Sequence, residues 1–153
     1  MSMENLESIL ASHPFLASLT GQQIQLLAGC ATLATYRANE VIFTEGEKAE
    51  RLFLLRFGRV AVEVHRPRRG PRTIYTLGEG DLLGALGAEA VEEWFFDART
   101  QEVTRAIVFQ VDCLRKLFAE HPDLGYELLR RFVQVQAKKI KLLKLQLVDF
   151  YGS

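Results

Sequence analysis

An antiparallel β sandwich or jelly roll with flanking helices is the fold class this sequence predicts, and three observations carry it. Between Leu33 and Val111, short alternating runs recur about every ten residues, each bounded by turn-forming residues. Inside that region, Gly78-Glu79-Gly80-Asp81-Leu82-Leu83-Gly84-Ala85-Leu86-Gly87 places four glycines in ten residues. Neither a regular helix nor a central strand accepts that density. Beyond Pro122 the chain has no Gly or Pro from Tyr126 to Phe150 and reads as one long helix.

Each element has its own local reason. Asn5 to Leu10 suits a short amphipathic helix, stopped at His13-Pro14 because a residue before proline avoids the helical region. Thr20-Gly21-Gln22-Gln23 spells a capping box and opens a helix through Leu26-Leu27 that stops near Gly29. From Leu33 the period becomes alternating. Turns are expected at Ala38-Asn39-Glu40, Glu45-Gly46-Glu47-Lys48, Gly58 and Arg66-Pro67-Arg68-Arg69-Gly70-Pro71. Arg72 to Leu77 reads as a strand that turns at Gly78/Gly80 and enters a short helical turn at Gly84. A glycine-rich turn feeding a helix N-terminus suits an anion, although many such turns bind nothing. Strands resume over Thr100 to Val103 and Ala106 to Val111. A helical stretch at Leu114-Arg115-Lys116-Leu117-Phe118 stops at His121-Pro122, and the last helix starts near Asp123 as N-cap.

In that helix Leu129, Val133, Gln136, Ile140, Leu143, Leu147 and Phe150 alternate steps of four and three, a heptad seam with one polar position. It predicts a parallel homodimer, with Gln136 fixing register, while Leu128 and Phe132 face the helix's own domain. The chain thus divides into residues 1–122, a β-roll with N-terminal helices, and 123–153, the dimerisation helix.

Composition narrows the function. The 153 residues carry 19 basic and 19 acidic side chains, which argues against a general affinity for nucleic acid or anionic membranes. No apolar run approaches the ~20 residues needed to span a bilayer, and no signal peptide is evident, so a cytoplasmic protein is expected. Cys30 and Cys113 are too few and too far apart for a metal cluster, and each reads as a small core residue without redox role. A cupin-type metal enzyme needs histidines converging from strands. Only His65 stands on one; His13 and His121 precede prolines and read as surface or capping residues. No serine or cysteine sits in a triad-like context. The expectation is no enzyme, no metal and no cofactor.

Val41-Ile42-Phe43-Thr44-Glu45-Gly46-Glu47, Leu52-Phe53-Leu54-Leu55-Arg56-Phe57-Gly58-Arg59-Val60-Ala61-Val62 and Gly80-Asp81-Leu82-Leu83-Gly84 occur in that order. Together they resemble the cyclic-nucleotide-binding domain family, in particular the sensor domain of catabolite-activator-like regulators, over roughly residues 13 to 150. The resemblance implies a jelly roll with N-terminal helices and a long C-terminal dimerisation helix. It also implies a phosphate-binding cassette over Gly80 to Asp97, with candidate ligand-pocket residues Gly80, Leu83, Gly84, Ala85, Leu86, Phe95, Phe96, Asp97, Ala98 and Arg99. In the family a glutamate after the cassette glycine holds the ribose and an arginine about ten residues later grips the phosphate. Here Ala85 stands at the first position and Phe95 or Phe96 at the second, with Arg99 the nearest arginine; Glu89, Glu92 and Glu93 add negative charge. Base-contacting hydroxyls of the family's helix fall on Leu142, Leu143 or Lys144. Activators of the family carry a helix-turn-helix after this helix. Here the chain ends at Tyr151-Gly152-Ser153, so DNA binding is not expected.

Three consecutive aromatics, Trp94-Phe95-Phe96, cannot all point inward from a strand, because neighbours face opposite sides. At least one lines the pocket, packs on the long helix or forms a contact surface. Arg66, Arg68, Arg69 and Arg72 form a basic hairpin tip, either a solvated loop or a docking point for an acidic partner or nucleotide. Lys138, Lys139, Lys141 and Lys144 read as the long helix's solvent face. Phe96 to Thr100, Leu124 to Leu128 and Leu145 to Gly152 further resemble a subgroup of the family without a DNA-binding domain, associated with redox enzyme systems. The leading expectation is a non-enzymatic dimeric sensor or regulatory domain with a degenerate cassette that does not bind cyclic AMP or cyclic GMP. The alternative is a ligand-free interaction module for a partner protein, its cassette filled by Trp94 to Phe96.

Overall fold

The structure, a computed structural model, describes residues 5–84 and 93–151, with side chains to residue 149. Helix α1 (Leu6–Ala11) is capped by the Asn5 side chain, a 3-10 turn follows at Pro14–Leu16, and α2 (Gly21–Ala28) carries the expected Thr20/Gln23 capping box. Eight strands succeed them: β1 (Ala31–Tyr36), β2 (Val41–Phe43), β3 (Arg51–Phe57), β4 (Val60–Arg66), β5 (Gly70–Leu77), β6 (Leu82–Leu83), β7 (Asp97–Thr100) and β8 (Thr104–Gln110). Helix α3 (Val111–Glu120) and the long α4 (Pro122–Tyr151) close the chain. Two four-stranded sheets result, ordered β1-β8-β3-β6 and β2-β7-β4-β5, and every pairing is antiparallel. This is the jelly roll with flanking helices.

Sheet geometry explains why Leu52-Phe53-Leu54-Leu55 is apolar without alternation. Phe53 and Leu55 face the space between the sheets. Leu52 and Leu54 face the other way, into a second core with Leu10, Leu16, Leu27, Leu114, Leu124 and Leu128. A strand covered on both faces buries every residue. Leu124 and Leu128 root α4 in this helical core, and the partly buried Phe132 packs against it as expected.

Several expectations need correction. The strand placed at Thr100 to Val103 is instead β7, which ends at Thr100, and residues 101–103 form the link to β8. The Thr100 hydroxyl explains the boundary: it donates to the Arg37 carbonyl and accepts from the Glu40 N–H, closing the roll there. Val111 opens α3 and does not end a strand. Leu82-Leu83 forms a short strand on β3, and α4 already starts at Pro122. His13 takes the capping role of the two expected for it, and does so from a buried position. The largest difference concerns Cys30 and Cys113, read as separate core residues: they form a disulfide. Antiparallel pairing of Ala31 with Phe109 brings the end of α2 beside α3, so cysteines 83 residues apart meet. Disulfides are rare in the cytosol, so the cysteines lend no weight to a cytoplasmic location.

Candidate functional site

The glycine-rich turn is held by backbone geometry. The Leu55 N–H donates to the Asp81 carbonyl (2.8 Å), and the Leu55 carbonyl accepts from Gly80 N–H (2.9 Å) and His13 Nε2 (2.9 Å). That carbonyl can only accept, so Nε2 carries the His13 proton, leaving Nδ1 to accept from Phe15 N–H (3.1 Å). Burial lowers the His13 pKa below its ordinary value, against opposing contributions from the Leu55 hydrogen bond and Asp81. Gly84, at φ +126°, sits where a Cβ would lie 3.1 Å from the Arg51 carbonyl. Only glycine passes β3 this closely.

On the far side of residues 85–92, the chain re-enters at Trp94 and is stapled to the turn after β2. Trp94 N–H donates to the Glu47 carbonyl (2.9 Å) and Gly46 N–H to the Trp94 carbonyl (3.0 Å). The Trp94 indole, 4% exposed, then stacks on Phe43, with centroids 3.7 Å apart and planes 8° off parallel. Phe96 tilts against both rings at 5.8 and 6.2 Å. Phe95 points out and is 66% exposed. The aromatic triplet is thus split between core and solvent, although it lies in a bend ahead of β7 and not in a strand.

The charged residues that follow face away from this aromatic core. Ala98 and Val62 pair across β7 and β4 and point inward, so Asp97 and Arg99 point to the outer face. There Asp97 Oδ1 accepts from Glu45 N–H (2.7 Å), Oδ2 lies 2.8 Å from His65 Nε2, and Arg99 Nε donates to Glu63 Oε1 (3.2 Å). Of the candidate pocket residues, Leu83, Phe96 and Ala98 therefore gather around the inter-sheet core, while Gly80 lies against Pro14 and Gly84 against β3. Phe95, Asp97 and Arg99 lie elsewhere. Ala85 and Leu86 lie outside the described residues, as do Glu89 and Glu92 and the side chain of Phe150.

Two cations near the roll escaped the sequence reading. Arg51 shares the inward face of β3 with Phe53 and Leu55; its guanidinium lies 5.1 Å from the Phe53 ring centre, and Nη2 donates to the Ile42 carbonyl (3.5 Å). Its two-residue spacing from Phe53 was the available signal. Lys139, assigned to solvent, sits half-buried with Nζ 5.1 Å from the centre of the Tyr75 ring on β5. Burial lowers the Lys139 pKa, opposed by Asp81, and raises that of Tyr75. Two open grooves, about 560 and 440 Å³, flank Pro14 and Gly80, and neither is lined by Trp94, Phe96 or Arg99. Among the described residues no cluster of His, Cys, Asp and Glu could hold a metal, and no helix is long and apolar enough to cross a membrane.

Two antiparallel four-stranded sheets, a glycine turn beside β3 and a long C-terminal helix define the jelly-roll class of domain. The profile of the cyclic nucleotide-binding domain matches residues 33–121, more than half of the chain, and the chain belongs to that family. It is similar to a CRP-like cAMP-activated global transcriptional regulator of Mycobacterium tuberculosis, 24% identical over 144 residues, covering 94% of this chain and 62% of the relative. The chain thus spans about three fifths of that regulator's length. Among solved structures, a cyclic nucleotide-binding domain from Methylobacillus flagellatus superposes with TM-score 0.78 at 20% identity, covering 94% of this chain and 81% of that one. A putative cyclic nucleotide-binding protein from Geobacter metallireducens gives 0.77 at 22% identity, covering 90% and 99%.

Proposed function

We propose that this protein is a non-enzymatic, dimeric regulatory domain whose rebuilt cassette does not take up cyclic AMP or cyclic GMP. The observation that carries the reading is the Phe43–Trp94 stack at the cassette's exit, with the arginine nearest in sequence, Arg99, turned outward onto Glu63, and the inward-facing Arg51 engaged by the Phe53 ring and the Ile42 carbonyl. A cyclic phosphate drawn into such a site would lose hydration without gaining the charge-assisted hydrogen bonds that compensate it. Ala85 offers no carboxylate for the ribose, and Glu89, Glu92 and Glu93 repel an anion. The same stack favours an interaction module over a small-molecule sensor, because aromatic rings occupy space that a sensor keeps for its ligand. A cytoplasmic site of action belongs to this proposal.

Dimerisation is the second half of the proposal. Leu129, Val133, Ile140 and Leu147 are exposed on α4, with Gln136 and Leu143 half-buried between them. An apolar seam open to water calls for a partner, and a parallel pairing of α4 with α4 covers it. Wild-type protein at tens of micromolar should sediment as a dimer, and Ile140→Lys, which sets a charge in the seam, should shift it toward monomer. A monomeric wild type refutes the seam.

A further inference from the structure

The last turns of α4 carry a second apolar face. Leu142, Leu145 and Val148 are 63%, 53% and 55% exposed. At 100° per residue they span an arc of roughly 120°, centred roughly 150° around the helix from Ile140 and Leu147. A two-stranded seam covers one face only, so in the dimer proposed above, on which this geometry rests, the second face stays open. Nearer the start of α4 the neighbouring face is occupied by the helix's own domain, where Leu124 and Leu128 are buried. Past Lys139 that domain no longer reaches it.

We infer that the face formed by Leu142, Leu145 and Val148 docks an amphipathic helix of another protein whose apolar stripe is flanked by acidic side chains. Charge selects the partner. Lys138, Lys141 and Lys144 are exposed around the stripe, and Asp149 is the only acidic residue from 138 to 149. A second copy of α4 would bring the same lysines against these, a like-charge arrangement that opposes self-pairing here. A membrane surface fits less well. Helices that lie on bilayers set their cations opposite a broad apolar face rich in aromatic residues. Here Lys138 and Lys141 share the arc with three aliphatic side chains and no aromatic one. Recognition of a partner helix reads apolar anchors about one turn apart, and Leu142, Leu145 and Val148 follow one another at steps of three residues, with Lys138 and Lys141 between them and Lys144 at the edge.

The test uses the full chain and a synthetic helical peptide with leucines at i, i+3 and i+7 flanked by glutamates, followed by fluorescence anisotropy. A twin peptide with lysines for glutamates and vesicles of phosphatidylcholine with phosphatidylserine serve as comparisons. The glutamate peptide should bind saturably and more weakly as salt rises, and the lysine peptide and the vesicles should not bind. Leu142→Ser with Leu145→Ser should weaken binding about tenfold or more, as loss of two central anchors does, with sedimentation unchanged. Ile140→Lys should leave peptide binding intact, which separates this face from the seam. Equal binding of both peptides, binding only to vesicles, no binding at all, or loss of the dimer in the double variant overturns the inference.

Discussion

Replacing Trp94 by alanine tests whether the aromatic stack is a structural plug or an incidental contact. The indole is 4% exposed and lies against Phe43, itself in the inter-sheet core with Phe53, Leu83 and Val108. A tryptophan buries roughly 150–250 Å², which at about 25 cal/mol per Å² corresponds to ~4–6 kcal/mol as an upper bound. Measured truncations of buried tryptophan and phenylalanine cost about 3–5 kcal/mol, cavity included. That is a large share of the ~5–15 kcal/mol by which a domain is stable, and the melting temperature should fall by roughly 6–20 °C. Urea unfolding followed by circular dichroism measures it, because Trp94 is the chain's single tryptophan and its fluorescence disappears in the variant. Phe95→Ala, at a 66% exposed ring, should stay within about 0.5 kcal/mol of wild type. A Trp94→Ala loss below about 1 kcal/mol would refute the plug.

Two further outcomes follow from the flanking elements. Protein isolated without reductant should show no free thiol when unfolded, and Cys30→Ser with Cys113→Ser should lower stability by about 2–5 kcal/mol, as for closure of a loop of this length; two reactive thiols would contradict the disulfide. Stability should also decline on acidification through His13. Its folded pKa lies below the unfolded value of about 6.5, so the unfolded chain binds more protons, and the contribution is complete above pH ~6.5 and lost as pH falls from there toward the folded value. Urea midpoints between pH 7 and 5 measure this, and His13→Asn, which keeps a capping acceptor, should remove that part of the slope.

What the sequence shows of this protein is what local rules govern. The Thr20 capping box, the turn at Gly46, the basic hairpin at Arg66 to Arg72 and the heptad spacing of α4 all depend on residues a few positions apart. Features set by distant pairings were hidden. Cys30 meets Cys113 only because β1 runs beside β8. Arg99 was the residue nearest the expected phosphate position, yet its strand pairing with Ala61 turns it away from Val62 and the core. Alternation alone predicted that Trp94, Phe95 and Phe96 part company, but which ring turned inward depended on Phe43, some fifty residues earlier. Lys139 looked like a solvated lysine because nothing in α4 announces Tyr75 across from it.

The central claim is that this member of the cyclic nucleotide-binding domain family has lost the charge chemistry of its namesake ligand. Removing one partner of a buried charge pair costs about 2–5 kcal/mol, a loss of roughly thirty-fold to several thousand-fold in affinity. In the proposed reading Ala85 removes the ribose acceptor as well. Titration calorimetry of the wild-type protein with cyclic AMP and then cyclic GMP, each brought to millimolar concentration, measures this directly. No saturable heat with a Kd below about 10 µM, the equivalent of roughly −7 kcal/mol, is expected; saturable binding tighter than that, by either nucleotide, would contradict the loss.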